Sequence, residues 1–422
     1  MILSKVPLLS NEFIERDKKS IVRPTTNIPL AIKGGIGSKI YDFDGREYID
    51  LTSGWNVVNT GWNHPKIIKA LRNQNETLSY APPWCTHQGK VEMAEIMKTL
   101  FDDNFKVLCG TTGSESVETA LKIARLATGR RKIIGFTGAY HGGTLGSMLA
   151  SGLSEFKDIF FPQIEYHCYV PLPHYQKNNE KDYLSIIRNT ILQEPKPAAI
   201  ILEPIFTNPG IIYGSADFYL TINKVCKESG TLIIMDEVGT GFARTGKMFG
   251  FEHWPIQPDI VCLSKAISSG AVPMAATLMR SELANSVSGA GFSYTFGWTP
   301  LACAVAKSTL EIINEENLIE RAKFLGGFAK SFLEQHLEGC RYVTDIRGLG
   351  LEIGIELNND LNKPLSNSHM DHLTLNLRDR GVFIEYSNYT STLLLMPPLV
   401  IEENELRQAL NIIIEEISSL NL

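Results

Sequence analysis

The sequence predicts an α/β fold, with a large domain on a doubly wound, mostly parallel sheet and a smaller α+β domain. Short apolar runs alternate with helical patterns between about residue 90 and residue 265. These runs have strand length and are rich in Ile, Val and Leu, as strands covered on both faces should be. Beyond about residue 300, a long helical stretch precedes shorter strands. Because 422 residues are too many for one ordinary core, we expect at least two domains.

The composition favours a cytoplasmic enzyme and argues against several other classes of protein. The formal net charge of −6 gives no reason to expect nucleic acid or an anionic membrane as partner. The seven cysteines include no C-x-x-C pair, so neither a metal site nor a disulfide framework is indicated. We expect no signal peptide, and no apolar run approaches the roughly 18 residues of a membrane helix.

The predicted elements begin with an arm and a hairpin. Residues 1–35 are polar and Pro-rich with one candidate helix, and apolar residues alternate on both sides of Asp44-Gly45, as in a tight hairpin. Polar or Gly-rich residues follow each later strand, where ligands of doubly wound sheets bind. The strands predicted for the large sheet are Lys106–Cys109, Lys132–Phe136, Ala198–Leu202, Thr231–Met235 and Ile260–Leu263.

The C-terminal part has a different pattern. A helical stretch from Pro300 to about Glu338 is followed by predicted strands over Val343–Glu356 and Gly381–Met396, and by an amphipathic helix over Glu403–Leu420. We therefore divide the chain into three parts. They are an N-terminal arm and hairpin that join the small domain (1–60), a large domain (61–305) and a C-terminal small α+β domain (306–422).

Two segments at strand ends suit a ligand with a phosphate and a ring. Gly110–Glu118 precedes a predicted helix over Val117–Ala127, and its small residues let backbone N–H groups approach a phosphate. Ser114 and Glu115 also suit a helix start without any ligand. Tyr140, in a Gly-rich loop after the next strand, would stack on a planar ring or simply pack in its loop.

Three charged residues follow later strands. Asp236 ends a buried strand and needs a partner, which a pyridinium nitrogen, a metal ion or a salt bridge would supply. Lys265 follows the next strand, where an apolar site can make its amine a nucleophile, although a lone lysine at a turn is more often a surface residue. Glu203 would meet substrate or cap its strand. A candidate phosphate site, an aromatic residue, an acidic residue and a lysine follow predicted strands in this order along the chain. One ligand would explain all four.

These motifs resemble the class III aminotransferases of pyridoxal phosphate (PLP) fold type I, over nearly the whole chain. The most specific shared feature is the Asp-Glu-Val block, which continues to Arg-Thr-Gly and has a Ser-Lys downstream. The resemblance implies an aspartate-aminotransferase-like fold with a seven-stranded, mostly parallel sheet and a smaller α+β domain. The segments that carry it are Ser53–Asn56, Gly61–Pro65, Gly113–Glu118, Tyr140–Gly142, Glu203-Pro204, Asp236–Gly246, Ser264–Ala266, Thr295–Gly297, Pro300–Cys303, Arg347–Gly350 and Pro397–Leu399.

The resemblance implies a set of cofactor-binding residues. Gly113 and Ser114 would bind the phosphate of PLP. Tyr140 and Val238 would lie on the two faces of its ring, and Asp236 would pair with the ring nitrogen.

The resemblance also implies the reaction. Lys265 would form the Schiff base with PLP and then carry the proton in a ping-pong transfer from an amine or ω-amino donor to a 2-oxo acid. Thr295, with Phe296 beside it, would reach the phosphate of the partner subunit's cofactor, which implies a homodimer with shared sites. An amino-acid epimerase or aminomutase of the same fold is the alternative. A non-catalytic PLP-binding protein is disfavoured by the intact Lys265 and Asp236, and the P-loop motif of nucleotide enzymes is absent.

Departures from the family pattern concern mainly the substrate. Many members have Arg where this chain has Gly143, to hold a carboxylate, and a second Arg near the position of Leu394 that pairs with the Glu of Glu-Pro. Gln is usual at the position of Gly239. Without its usual partner, Glu203 is expected to attract a second amino group of the donor, or to bond to nearby Gln or Ser side chains.

The remaining pocket residues favour an apolar or polyamine donor. Trp55 stands where related enzymes have an aromatic residue in the substrate pocket, and we expect Trp84 nearby. Arg347 is a further candidate for holding a carboxylate, although a structural ion pair in the small domain is the favoured interpretation.

Overall fold

The computed structural model describes residues 8–24, 29–101, 104–152, 166–173 and 180–420. Its centre is a seven-stranded sheet, whose strands in chain order are β4 (Phe105–Gly110), β5 (Ile133–Phe136), β6 (His167–Val170), β7 (Ala199–Leu202), β8 (Leu232–Asp236), β9 (Ile260–Leu263) and β10 (Ala275–Arg280). Their order across the sheet is β4-β10-β9-β8-β7-β5-β6. Only β10 runs against its neighbours. The predicted mostly parallel sheet is confirmed.

Five of the seven strands carry the predicted apolar signature, and two do not. Every residue of β5, β7 and β9 is buried, because the sheet is covered on both faces. Two strands were not predicted from the sequence: β6, a four-residue edge strand that contains His and Tyr, and β10, which begins Ala-Ala-Thr. Neither segment has the density of Ile, Val and Leu that marks the other strands.

Helices cover the sheet and connect it to the small domain. They are α1 (Leu8–Ser20), α2 (Ser53–Asn56), α3 (Pro65–Thr77), α4 (Gln88–Phe101), α5 (Gly113–Thr128), α6 (Leu145–Ala150), α7 (Glu180–Leu192), α8 (Ala216–Ser229), α9 (Pro300–Glu315), α10 (Leu318–His336), α11 (Asn367–Asp379) and α12 (Glu403–Ser418). The single helix expected from 300 to 338 is two helices, because Asn317 adopts a left-handed conformation with φ 51°.

Helix α5 begins four residues earlier than predicted. Thr112 caps it: the Glu115 N–H donates to Thr112 Oγ1, and the Glu115 carboxylate accepts the Thr112 N–H in return. Ser114 therefore lies in the first turn of the helix, where backbone N–H groups have no partner within the helix.

Two four-stranded sheets form the smaller part of the molecule. Their strands are β1 (Ile32–Ile36), β2 (Lys39–Asp42), β3 (Glu47–Asp50), β11 (Val343–Leu349), β12 (Glu352–Leu357), β13 (Val382–Phe383), β14 (Glu385–Ser387) and β15 (Thr392–Leu395). The predicted hairpin turn at Asp44-Gly45 is confirmed, since β2 and β3 pair antiparallel and Gly45 has φ 82°. β13 pairs parallel with β3, so the N-terminal hairpin joins the C-terminal part of the chain. The segment 343–356, expected as one strand, turns back at Gly350.

One buried apolar cluster runs through both parts of the molecule. It includes side chains from β7, α9 and β12. In the part of the chain that the structure describes, no helix is long and apolar enough to cross a membrane, and no group of three or more His, Cys, Asp or Glu side chains is placed to hold a metal ion.

Candidate active site

The carboxyl ends of β4, β5, β7, β8 and β9 surround a cavity of about 170 Å³. This is the position that the doubly wound topology predicts for a ligand. Most residues singled out in the sequence analysis line it: Trp55, Gly113, Ser114, Tyr140, Glu203, Asp236, Val238 and Lys265. His141, Gly142, Thr207, Asn208, Gly239 and Ser264 complete its lining.

One end of the cavity is a tight cradle at the N-terminus of α5. Ser114 Oγ accepts a hydrogen bond of 3.1 Å from the Gly143 N–H. Gly142 has φ +131°, and a Cβ there would lie 2.4 Å from Ser114 Oγ, so only glycine fits. Gly113 approaches Val238 so closely that a Cβ would lie 3.0 Å from its Cγ1. Free N–H groups and the helix dipole make such a cradle suitable for an anion.

Asp236 also lines the cavity. Its Oδ2 lies 2.7 Å from His141 Nδ1, and its Oδ1 accepts a 3.0 Å hydrogen bond from the Val238 N–H. His141 is buried and was not singled out from the sequence. The aromatic-His-Gly element did contain it, but only the fold brings it to Asp236, 95 residues away.

Lys265 stands at the end of β9 in a strained backbone conformation. Its φ of 47° is left-handed, and the following 3-10 turn carries the amine into the cavity. Burial lowers the pKa of the Lys265 amine, while nearby Glu203, Asp236 and Glu352 act in the opposite direction. Strain of this kind clusters at functional sites.

Glu203 is held by backbone amides. Its Oε1 accepts from the Tyr140 N–H and its Oε2 from the Thr207 N–H, both at 3.3 Å. Among the described residues, backbone N–H groups and not the expected Gln or Ser side chains bond to Glu203, because the loops after β5 and β7 bring these N–H groups close. Burial raises the pKa of the Glu203 carboxyl to about 7.

Trp55 reaches the cavity from a left-handed turn. Four consecutive residues, Ser53–Asn56, have positive φ values between 50° and 69°. For residues other than glycine this costs about 1–2 kcal/mol each, so surrounding contacts must hold the turn. Ser53 Oγ donates to the Met396 carbonyl at 2.6 Å and accepts from Arg244 Nη2 at 3.1 Å. Leu394 packs with Met396 in a small buried apolar cluster against Trp55.

Three of the predicted site residues lie outside this cavity. Trp84 is 83% exposed on the surface, so the expectation that it lies near the pocket is wrong for the pocket of its own chain. Thr295 and Phe296 are also exposed, and the Phe296 ring lies 5.7 Å from that of Tyr80.

Arg347 forms the structural ion pair that the sequence favoured. Its Nη1 lies 2.8 Å from Asp345 Oδ2 and 2.6 Å from Glu356 Oε2. Its Nε and Nη2 donate to the Gly210 carbonyl. The guanidinium is almost fully buried in these contacts, which leaves no donor for a substrate carboxylate.

Three polar residues near Lys265 were missed by the sequence analysis. Asn56 Nδ2 and Thr207 Oγ1 both donate to Glu352 Oε1, at 3.3 and 2.6 Å. Glu352 is completely buried in β12. A charged residue inside the apolar run Leu351-Glu-Ile-Gly-Ile was the available signal, since buried charges are rare without a partner or a role.

Comparison with known proteins agrees with this geometry. The family model described as aminotransferase class-III matches residues 21–417. The acetylornithine aminotransferase of Methanothermobacter thermautotrophicus is 32% identical, over 97% of this chain and all of that protein. The alanine/serine racemase of Pyrococcus horikoshii is also 32% identical, over 96% of this chain and 89% of that protein.

A solved structure shows the same fold. The amine transaminase from an uncultivated Pseudomonas species, determined in its PLP-bound form, superimposes with a TM-score of 0.86. It is 27% identical, over 93% of this chain and 97% of that one. The chain belongs to the class-III aminotransferase family and is a pyridoxal-phosphate-dependent aminotransferase.

Proposed function

We propose that this aminotransferase takes its amino group from an amine with an apolar or cationic tail and passes it to a small 2-oxo acid. The observation that carries this proposal is the charge of the cavity. Among the described residues that line it, Lys265 is the one cation of the Lys or Arg type, while Glu203 and Asp236 are carboxylates. A donor whose tail bears a carboxylate finds no guanidinium there.

The residues present fit PLP. Its phosphate suits the cradle of Gly113 and Ser114, where the missing Cβ of Gly142 leaves the N-terminus of α5 accessible. Tyr140 and Val238 line the same cavity and would lie on the two faces of its ring. When bound, PLP supplies an electron sink for carbanion chemistry.

The chain itself orients groups and moves a proton. His141 Nδ1 and the Val238 N–H hold the two oxygens of Asp236, and this carboxylate would pair with a protonated ring nitrogen. The lowered pKa of Lys265 makes its Nζ a better proton carrier near neutral pH. Trp55 and Tyr140 supply apolar surface for the substrate tail and limit the access of water.

The carboxyl group of Glu203 supports a donor whose tail is either cationic or apolar. Among the described residues no side chain pairs with it, and the segment before Pro397, where many family members have an Arg, carries the buried, apolar Leu394. Ionised Glu203 would attract the distal ammonium of a diamine. Neutral Glu203 would tolerate an apolar tail.

We propose a homodimer in which Thr295 reaches the partner's phosphate site. Thr295 does not line the cavity of its own chain, and apolar Trp84 and Phe296 are 83% and 64% exposed near the same surface segments. Exposed apolar side chains of this size are expected at interfaces. A cytoplasmic location remains part of the proposal, supported by seven unpaired cysteines.

A half-reaction assay tests the substrate proposal. The loaded enzyme is mixed with one donor at a time, and the loss of the absorption of its bound cofactor is followed without acceptor. We expect 1,4-diaminobutane and simple monoamines to react faster than 4-aminobutyrate and N-acetylornithine. Faster reaction with the two carboxylates would overturn the proposed donor class.

A racemase is the second candidate, because one similar protein carries that activity in its name. An enzyme of that kind inverts a chiral amino acid without any acceptor. Incubation of L-alanine or L-serine with the enzyme alone, followed by chiral chromatography, separates the two. Full conversion to a racemate favours the racemase, whereas a stop after one equivalent per site favours the aminotransferase.

A further inference from the structure

Gly239 leaves a small open space beside the Lys265 amine. A Cβ placed on Gly239 would lie 3.8 Å from Lys265 Nζ, 3.4 Å from Thr207 Oγ1 and 3.9 Å from Asn56 Nδ2. Three polar groups from distant parts of the chain therefore surround one point within 4 Å. Because residue 239 is glycine, no side chain fills this point.

Glu352 lies directly behind two of these groups. Its Oε1 accepts hydrogen bonds from Thr207 Oγ1 at 2.6 Å and from Asn56 Nδ2 at 3.3 Å. Among the described residues, Glu352 Oε2 and Asn56 Oδ1 are buried without a hydrogen-bond partner. Buried carboxyl groups are retained when they serve a neighbour, since an unmatched one is costly. Glu352 influences the charges of both Lys265 and Arg244.

Arg244 holds both sides of this arrangement in place. Its Nη1 donates to the carbonyls of Leu351 and Pro397, at 2.9 and 2.6 Å. Its Nη2 donates to Ser53 Oγ at 3.1 Å. One buried guanidinium thus connects the strained turn that carries Asn56 with the residue that precedes Glu352. The strain of that turn is sustained because several contacts fix it.

Other charges around Lys265 have their own partners. Asp236 contacts His141, and Glu203 accepts two backbone N–H groups. The charges of Arg244 and Lys265 both act on Glu352. Burial raises the pKa of Glu352, and its hydrogen bond from Thr207, the charges of Arg244 and Lys265, and the Asn56 contact act against that rise.

We propose that Glu352 is a positioning residue for Lys265. With Asn56 and Thr207 it forms a buried polar group that faces the amine across the space at Gly239, and it stabilises the protonated amine during proton transfer. The proposal rests on the proposed role of Lys265 and adds the group that controls its proton.

The test compares E352Q with E356Q. The first change keeps the size and the hydrogen-bond acceptor but removes the charge. The second makes the same substitution in the same strand, at a residue that contacts Arg347. The pH midpoint of the absorption change of the bound cofactor is measured in the loaded enzyme. The pH dependence of acetic anhydride labelling of Lys265 is then measured by mass spectrometry after cofactor removal.

We expect both midpoints to fall by about one pH unit in E352Q and to stay at the wild-type value in E356Q. T207V, which keeps the shape of the side chain and removes one donor to Glu352, should shift the midpoints in the same direction. T207S should restore them. If E352Q does not fold, the comparison of T207V with T207S tests whether Glu352 acts on Lys265.

Unchanged midpoints in folded E352Q, or in T207V where E352Q does not fold, overturn the inference while the proposed function stands. Because labelling does not require turnover, a shift in an enzyme that fails to transaminate would support the inference and reject the function.

Discussion

At the scale of single residues, the site is a balance of charges around one lysine. Lys265 lies in a left-handed conformation beside three carboxyl groups, and its amine is the group whose proton the reaction has to move. Asp236 contacts His141 and Glu203 accepts backbone N–H groups, whereas Glu352 Oε2 has no hydrogen-bond partner among the described residues. Removing the amine therefore removes the proton carrier of the reaction.

We expect K265A to lower the transamination rate by about 10²–10⁴-fold, the usual contribution of a positioned acid–base group. Turnover of 1,4-diaminobutane with pyruvate measures it, with circular dichroism to confirm folding. K69A, a substitution of an exposed lysine in α3, is the control. Retention of more than a tenth of the activity in K265A would contradict its role.

The ionisation of Glu203 predicts a pH-dependent choice of donor. Its pKa is raised to about 7, so the carboxylate is largely neutral below pH 7 and ionised above it. The ratio of kcat/KM for 1,4-diaminobutane to that for 1-aminobutane should rise about tenfold per pH unit below this value and level off above it.

E203Q should make this donor ratio independent of pH and low throughout. E228Q, at an exposed glutamate of α8, should leave the profile as in wild type. A pH-independent ratio in the wild-type enzyme would exclude Glu203 as the site of the second ammonium.

At the scale of elements, α10 packs against the β11–β12 hairpin, which carries Glu352. Gly326 of α10 approaches the hairpin so closely that a Cβ would lie 1.9 Å from the Gly350 carbonyl oxygen. The next residue, Gly327, is exposed, and a Cβ there meets nothing within 4 Å. Two adjacent glycines in one helix thus have opposite roles.

We expect G326A to destabilise the protein by about 1–3 kcal/mol, because backbone has to shift to admit the methyl group. G327A should stabilise it by about 0.5–1 kcal/mol, since alanine favours an exposed helix over glycine. Thermal midpoints of the two variants check this. Equal midpoints would show that the close approach of α10 to the hairpin does not matter for stability.

At the scale of the whole molecule, the proposed homodimer predicts complementation between subunits. If Thr295 serves the partner's site, a mixed dimer of K265A and T295A subunits contains one site with both wild-type residues. Mixing equal amounts of the two variants under conditions of subunit exchange should recover about a quarter of the wild-type activity, because half of the dimers are then mixed and each has one intact site, whereas each variant alone stays low.

Analytical ultracentrifugation should show a species of twice the 46.9 kDa chain mass. A species of single chain mass, or mixed subunits no more active than the separate variants, would reject shared sites. Wild type mixed with an equal amount of K265A is the control, and its activity should stay at half that of wild type with or without exchange.

The sequence by itself determined the large sheet's character and the order of the site residues along the chain. Apolar runs are local patterns, so a stretch of ten residues is enough to predict them, whereas the start of α5 and its Thr112 cap were placed correctly only by the structure. Ser114, Tyr140, Asp236 and Lys265 each follow such a pattern. The edge strand β6 and the antiparallel β10 escaped because their residues lack that local signal.

Only the tertiary structure decided which polar groups meet. Asn56 and Glu352 are 296 residues apart, and His141 and Asp236 are 95 apart, so no local pattern joins them. Packing in the folded chain decided that Arg347 forms a buried ion pair and that Trp84 lies on the surface, outside the cavity. The physical reason is that secondary structure follows from neighbours in sequence, whereas the partner and protonation of a side chain depend on whatever the folded chain packs against it.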